Sequence, residues 1–268
     1  MSLRINTNVE AFNAHRQLSA TQMGLSKSME KLSSGLRINR AADDAAGLAI
    51  SEKMRAQIRG IARAHQNALD GISMVQTGEG ALNEVHSILQ RVRELAVQYN
   101  NGTLSASDKT AITTEIAQLS SEVSRIVSTT GFNGINLLSG NVPVTFQVGA
   151  NAGETIVLSA ANLGGTYFQS VFTGFDAQSA DITAINTAIS SIADVRATFG
   201  AAQNRLEHTI NNLATYEENL TASESRIRDV DVAQEMVNLT KLQILAQSGN
   251  AMLTQANQLP QGVLKLLG

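Results

Sequence analysis

Four histidines, His15, His65, His86 and His208, are the first side chains to weigh as metal ligands or proton shuttles, since imidazole titrates near neutral pH and binds transition metals. They are scattered along the chain, and none sits in an H-E-x-x-H array that would put two imidazoles on one helix face. Surface or packing roles are expected for all four. Asp43 and Asp44 could be paired carboxylates for acid–base work, but adjacent acids just ahead of a long apolar-periodic run match helix caps that complement the dipole. Gly78-Glu79-Gly80 has some of the look of a phosphate loop, yet it lies inside a helical pattern, without a preceding strand or a following Lys-Ser/Thr. Close helix packing or a soft point in the helix is the reading there, at roughly 1 kcal/mol per glycine.

Arg55, Arg59 and Arg63 repeat at i, i+4, a like-charge stripe that disfavours an isolated helix by roughly 0.2 to 0.5 kcal/mol per pair. Such a stripe is either a solvated face or the counterpart of acids such as Glu207 or Glu217, on the same chain or on a neighbouring copy. Asn101-Gly102-Thr103, Asn219-Leu220-Thr221 and Asn238-Leu239-Thr240 match a glycosylation acceptor pattern that a chain rich in Asn, Ser and Thr produces by chance. No catalytic, metal or cofactor site is expected, and no cofactor.

Composition narrows the class further. Net charge is −3 and the pI is about 5.8, so nothing favours nucleic acid or an anionic membrane surface as partner. Cysteine is absent, which removes disulfides, thiolate nucleophiles and zinc-thiolate sites. The N-terminus lacks the apolar run and small-residue cleavage site of a standard secretory signal, so any export needs another route. Nowhere do 18 consecutive apolar residues occur, which argues against a membrane span. Aromatic residues make up only 4%, and the two prolines are Pro143 and Pro260. Long helices packed through aliphatic side chains are what this composition permits.

The elements follow from periodicity. Met54, Ile58, Ile61, His65, Ala68, Ile72 and Val75, then Leu82, Val85, Leu89, Val92, Ala96 and Tyr99, step by three and four and predict one amphipathic helix. Starting near Ala45 and stopped by Asn100-Asn101-Gly102, it would hold roughly 55 residues and span roughly 80 Å. A second helix follows Ser105 and Asp108, which resemble a capping box, and carries Ile112, Ile116, Leu119, Val123 and Ile126. A third begins behind Ser179 with Ile182, Ile185, Ile189, Ile192, Val195 and Phe199 and continues through Leu206, Ile210, Leu213, Tyr216 and Leu220. Between them, Val144, Phe146 and Val148 alternate at period two before a Gly- and Asn-rich turn and Ile156-Val157-Leu158, predicting a hairpin or two that cap the far end of the bundle.

Both ends are amphipathic as well. Leu18, Leu25, Met29, Leu32 and Leu36 form one stripe, and Val237, Leu242, Leu245, Met252 and Leu253 another. A single pair of terminal helices, wet on most sides, buries too little of this surface to offset the entropy of ordering them. The stripes are therefore expected to drive polymerisation, and the ends to become fully helical only when neighbouring copies cover them. The fold class is mainly α: a long antiparallel helical rod or bundle formed by the N- and C-terminal regions, with a small β-hairpin region in the middle.

Several strings, in the right order, resemble bacterial flagellins. They are Leu3-Arg4-Ile5-Asn6-Thr7-Asn8-Val9, Leu32-Ser33-Ser34-Gly35-Leu36-Arg37-Ile38-Asn39, Ala41-Ala42-Asp43-Asp44-Ala45-Ala46-Gly47-Leu48-Ala49-Ile50 and Leu89-Gln90-Arg91-Val92-Arg93-Glu94-Leu95-Ala96-Val97-Gln98. Phe132-Asn133-Gly134, Ser225-Arg226-Ile227-Arg228-Asp229-Val230-Asp231 and Ala256-Asn257-Gln258 continue the series, and the likeness covers roughly residues 1–140 and 180–268. It implies a terminal inner-tube domain from 1–43 with 227–268 and a rod domain from 44–226, including a hairpin and loop segment 131–178, without large outer domains. It also implies a secreted, extracellular filament subunit that polymerises with itself and leaves by the flagellar type III route. Its other partners would be an export chaperone at the C-terminus, a filament cap and hook-associated proteins. A hook-filament junction protein of the same family is the alternative role. By the same resemblance, Arg91, Leu95 and Glu115 match a face recognised by an animal Toll-like receptor, although Leu119 stands where some members have Arg.

Overall fold

The computed structural model describes residues 7–139, 143–158 and 182–267. The expected cap Ser179, the stretch 159–178 of the expected loop segment and the string Leu3 to Asn6 lie outside the described residues. Five helices are described: α1 (Val9–Ser34), α2 (Ala45–Tyr99), α3 (Ala106–Thr129), α4 (Ile182–Arg228) and α5 (Val232–Leu267). Two antiparallel hairpins accompany them, β1 (Gly131–Phe132) with β2 (Ile135–Asn136), and β3 (Val144–Gln147) with β4 (Thr155–Leu158). The chain packs as two units, Met1–Ala56 with Asn219–Gly268, and Gln57–Glu218. The division falls inside α2 and α4.

The second unit holds the main core. Along α2 its most buried positions are Ile61, Ala64, Ala68, Gly71, Val75, Gly78, Leu82, Val85, Leu89, Val92 and Ala96, alternating steps of three and four. This line passes one residue to the side of the expected His65 and Ile72, which are only half-buried. Small residues fill it there, and partner side chains enter the space they leave. A Cβ on Gly78 would stand 2.5 Å from Cε2 of Phe199, and one on Gly71 would stand 3.2 Å from Leu206 Cδ1 and Phe146 Cδ1. Gly78 is thus a close-packing glycine, whereas Gly80 faces nothing within 4 Å.

Helix α4 answers with Ile185, Ala188, Ile192, Phe199, Ala202, Leu206 and Leu213, running antiparallel to α2. From α3 come Ile112, Ile116, Val123 and Val127. The capping box at the start of α3 is present, with Ser105 Oγ accepting from Asp108 N and Asp108 Oδ2 accepting from Ser105 N. Lys109 lies over the Tyr99 ring, 5.2 Å from its centroid, closing the turn between α2 and α3.

The β3–β4 hairpin does not cap the far end of the bundle. β3–β4 lies against α2: Asn67 Nδ2 donates to Gln147 O at 3.0 Å, Ala150 sits over Gly60, and Phe146 faces Gly71. Ile156 and Leu158 turn inward and Thr155 and Val157 outward. The missing side chains of Gly60 and Gly71 on α2 leave the space that Ala150 and Phe146 occupy. β1–β2 turns on Asn133 and Gly134 with φ of 49° and 80°, the two positive values that a two-residue type I′ turn requires.

Candidate functional site

In the first unit α1 and α5 pair antiparallel. On α1 the inward positions are Ala11, Ala14, Leu18, Thr21, Leu25, Ser28 and Leu32, and on α5 they are Glu235, Leu239, Leu242, Ala246, Gly249, Leu253 and Ala256. Both series alternate three and four, the spacing of a coiled-coil seam. Leucines meet glycines across it: Leu242 lies over Gly24, and Leu18 over Gly249. Asn8 ties the open end, accepting from Ala11 N as the cap of α1 while its Nδ2 donates to Ala256 O at 2.7 Å.

One step of the seam is polar. Ser28, 2% exposed, donates to Glu235 Oε1, which also accepts from Asn238 Nδ2 at 3.2 Å. The Ser28 hydroxyl, followed by Asn238 and the Lys31 charge, holds the Glu235 carboxyl below its ordinary value despite partial burial. A polar layer in an apolar seam penalises a shifted register, which would strand these groups without partners.

Beyond Ser28 two turns interlock. Gly35, at φ 72°, ends α1, and its carbonyl accepts from Val230 N at 3.0 Å. Arg37 N donates to Arg228 O at 2.6 Å, and the Arg37 guanidinium reaches Ile227 O. Arg228, whose side chain is 12% exposed, donates to Glu52 Oε1 at 2.6 Å. Asp44 caps α2, accepting from Gly47 N at 2.8 Å. Asp43 is not a cap: it accepts from Asn39 N and Arg40 N and pairs with Lys27 at 2.7 Å. Those contacts, Lys27 first, lower its carboxyl to about 2.

The expected stripe residues divide between two faces. Leu18 is buried and Leu25, Leu32, Leu242 and Leu253 are half-buried along the seam, while Leu36 bridges Asp229 in the turns. Met29, Val237, Leu245 and Met252 point outward at 56%, 71%, 46% and 63% exposure. Phe12, Met23, Val232, Met236 and Ile244 are exposed too, and periodicity alone did not single them out, because both helices carry apolar residues on more than one face. A shallow groove between α1 and α5 is lined by Gln17 and Leu18 on one side and Leu245, Gly249 and Met252 on the other.

In the second unit Arg91 donates Nε and Nη2 to Glu115 Oε1 at 3.1 Å and Nη1 to Glu94 at 3.2 Å, which raises its pKa, Glu115 contributing most. Arg91 and Glu115 are exposed, but Leu95 is 2% exposed and belongs to the core. Arg59 and Arg63 make no ion pair with Glu207 or Glu217 among the described residues, and Arg63 donates to Gln66 instead. Arg55 pairs with Glu52 at 3.6 Å. No group of three His, Cys, Asp or Glu side chains among the described residues could hold a metal, and no described helix is long and apolar enough to cross a membrane.

The helical pair at the chain ends thus has a filled seam and apolar side chains still exposed on its outer faces. Residues 5–142 match the model of the bacterial flagellin N-terminal helical region, and residues 182–267 that of the C-terminal helical region. The chain is similar to a flagellin of Halalkalibacterium halodurans, 54% identical over 98% of this chain and 99% of that protein. It is also similar to a Bacillus subtilis flagellin, 48% identical over 99% and 100%, and to a flagellar filament 33 kDa core protein of Treponema phagedenis, 47% identical over 98% and 99%. The crystal structure of a Bacillus cereus flagellin aligns with TM-score 0.49 and 34% identity over 55% of this chain and 88% of that one. The chain belongs to the bacterial flagellin family. It is a structural subunit of the flagellar filament, self-assembling into a homopolymer outside the cell, and not an enzyme; nothing favours the hook-filament junction role.

Proposed function

We propose that the α1–α5 pair is the module through which copies polymerise, its seam fixing the pair and its outward side chains being covered by neighbouring subunits. The observation that carries this reading is the exposure of Met29, Val237, Leu245 and Met252 on helices whose other face is already occupied. Fully burying such side chains contributes about 1.5 to 3 kcal/mol each, and several per subunit supply both the drive to associate and the compensation for ordering the ends. The terminal helices are then only partly ordered in the free subunit and complete their folding on addition. Removing 240–268 tests this: the expected product is a soluble chain with an intact second unit that forms no filaments by electron microscopy. Normal filaments from that truncation would refute it.

Family membership supports the remaining partners. Export through the flagellar type III apparatus, a chaperone that shields the C-terminal stripe beforehand, a filament cap and hook-associated proteins all fit a chain whose apolar ends need cover at every stage. Arg91 and Glu115 supply an exposed, charge-paired patch for an animal Toll-like receptor. In this reading Leu95, buried at 2% exposure, supports the patch from beneath.

A further inference from the structure

Sulfur chemistry in this chain is confined to methionine, because cysteine is absent and seven methionines are present. Their distribution is uneven. Met23, Met29, Met236 and Met252, all on α1 or α5, are 69%, 56%, 48% and 63% exposed, whereas Met74 in the second unit is 3% exposed. Met236 shares an open apolar strip along α5 with Val237, Ile244 and Leu245, and Met252 lines the groove beside Gln17 and Leu18. We propose that Met23, Met29, Met236 and Met252 are an oxidation-sensitive set that gates addition of the subunit to the filament. This inference rests on the reading of the outward α1 and α5 faces as the polymerising surface.

The chemistry is a two-electron oxygen transfer from a peroxide. The thioether sulfur attacks one peroxide oxygen, an S–O bond forms as the O–O bond breaks, and sulfoxide and water leave; with an organic hydroperoxide the second product is an alcohol. Sulfur is oxidised and the peroxide reduced, so nothing else is consumed. A dithiol reductant reverses the step, giving the thioether, a disulfide and water. Each sulfoxide places a strong acceptor where an apolar contact is required, and burying an unpartnered polar group costs enough to weaken association by at least about tenfold per site. Once the faces are covered, the same sulfurs are out of reach of the oxidant. Free subunits are thus the vulnerable form, and the filament is the protected one.

The test treats full-length monomer and preformed filament with hydrogen peroxide and reads each methionine by peptide mass. Monomer should gain oxygen at the four sites at least about ten times faster than filament, with Met74 unreactive in both. Oxidised monomer should fail to elongate filament seeds, and reduction by a dithiol-dependent methionine sulfoxide reductase should restore it. Replacing all four by Leu should give subunits that elongate seeds after peroxide treatment, while replacing them by Gln should block elongation without peroxide. Equal oxidation in filament and monomer would overturn the assembly reading of these faces and the gate with it. Shielding in the filament, combined with normal elongation by fully sulfoxidised monomer, would leave that reading intact and overturn the gate alone.

Discussion

Gly78 and Gly80 stand two residues apart in the same helix, and replacing each by alanine should move stability in opposite directions. Exchange of a mid-helix glycine for alanine gains about 0.8 to 1 kcal/mol from backbone entropy alone. At Gly80 nothing lies within 4 Å of the added Cβ, so that gain is realised whole. At Gly78 the methyl would stand 2.5 Å from Cε2 of Phe199, a ring 1% exposed among other core side chains. Overpacking of this kind costs about 1 to 3 kcal/mol, which leaves Gly78→Ala between neutral and about 2 kcal/mol destabilised. For a unit of this size about 1 kcal/mol corresponds to 2 to 4 °C in Tm. Thermal unfolding of dilute monomer, followed by circular dichroism, should show Gly80→Ala raised by about 2 to 4 °C and Gly78→Ala at or below wild type. An equal rise in both variants would refute the packing of Phe199 into the Gly78 gap.

Two further perturbations probe the first unit. Asp43 has its carboxyl lowered from 3.8 to about 2, so the folded chain binds fewer protons than the unfolded one in that range. Its contribution is complete above about pH 4 and fades as pH falls through about 2, and Asp43→Asn should flatten the acid limb of a urea-midpoint titration; an unchanged limb would remove Asp43 from the account. Gly249→Leu forces bulk against Leu18, which already lies 3.2 Å from a Cβ built there. It should raise amide exchange in 9–34 and 232–258 and block seed elongation, while leaving the Phe199 core protected. Gly249→Ala needs only a few tenths of an ångström of movement and should be nearly silent in the same assays.

Much of the fold was legible in the amino-acid order, and the part that was not has a common cause. Helix α2 runs from Ala45 to Tyr99 as the steps of three and four and the flanking Asp44 and Asn100 imply, and the Ser105 and Asp108 box is formed as read. Apolar side chains mark a face only while they are large. Where the seam of α2 passes through Ala64 and Gly71, the larger His65 and Ile72 draw the pattern one residue aside. The terminal pair repeats the difficulty, since its seam uses Ala14, Ser28, Ala246 and Gly249 and leaves Met29 and Val237 outside. A sequence scan therefore merges two faces with different duties into one stripe. Leu95 has the converse problem: its neighbours Arg91 and Glu94 are exposed, but its helical phase places it in the core.

The hydrogen bonds joining Arg37 to Arg228 and Gly35 to Val230 close a circuit through roughly 190 residues of intervening chain. Closing so long a loop from a random coil is slow, and local helix formation in the ends alone does nothing to shorten it. Pairing of α2 with α4 does shorten it, because Gly71 against Leu206 already brings the two flanks together. The terminal seam is consequently a late event in folding, conditional on the middle of the chain. A damaged core would surface first as ends that fail to find each other.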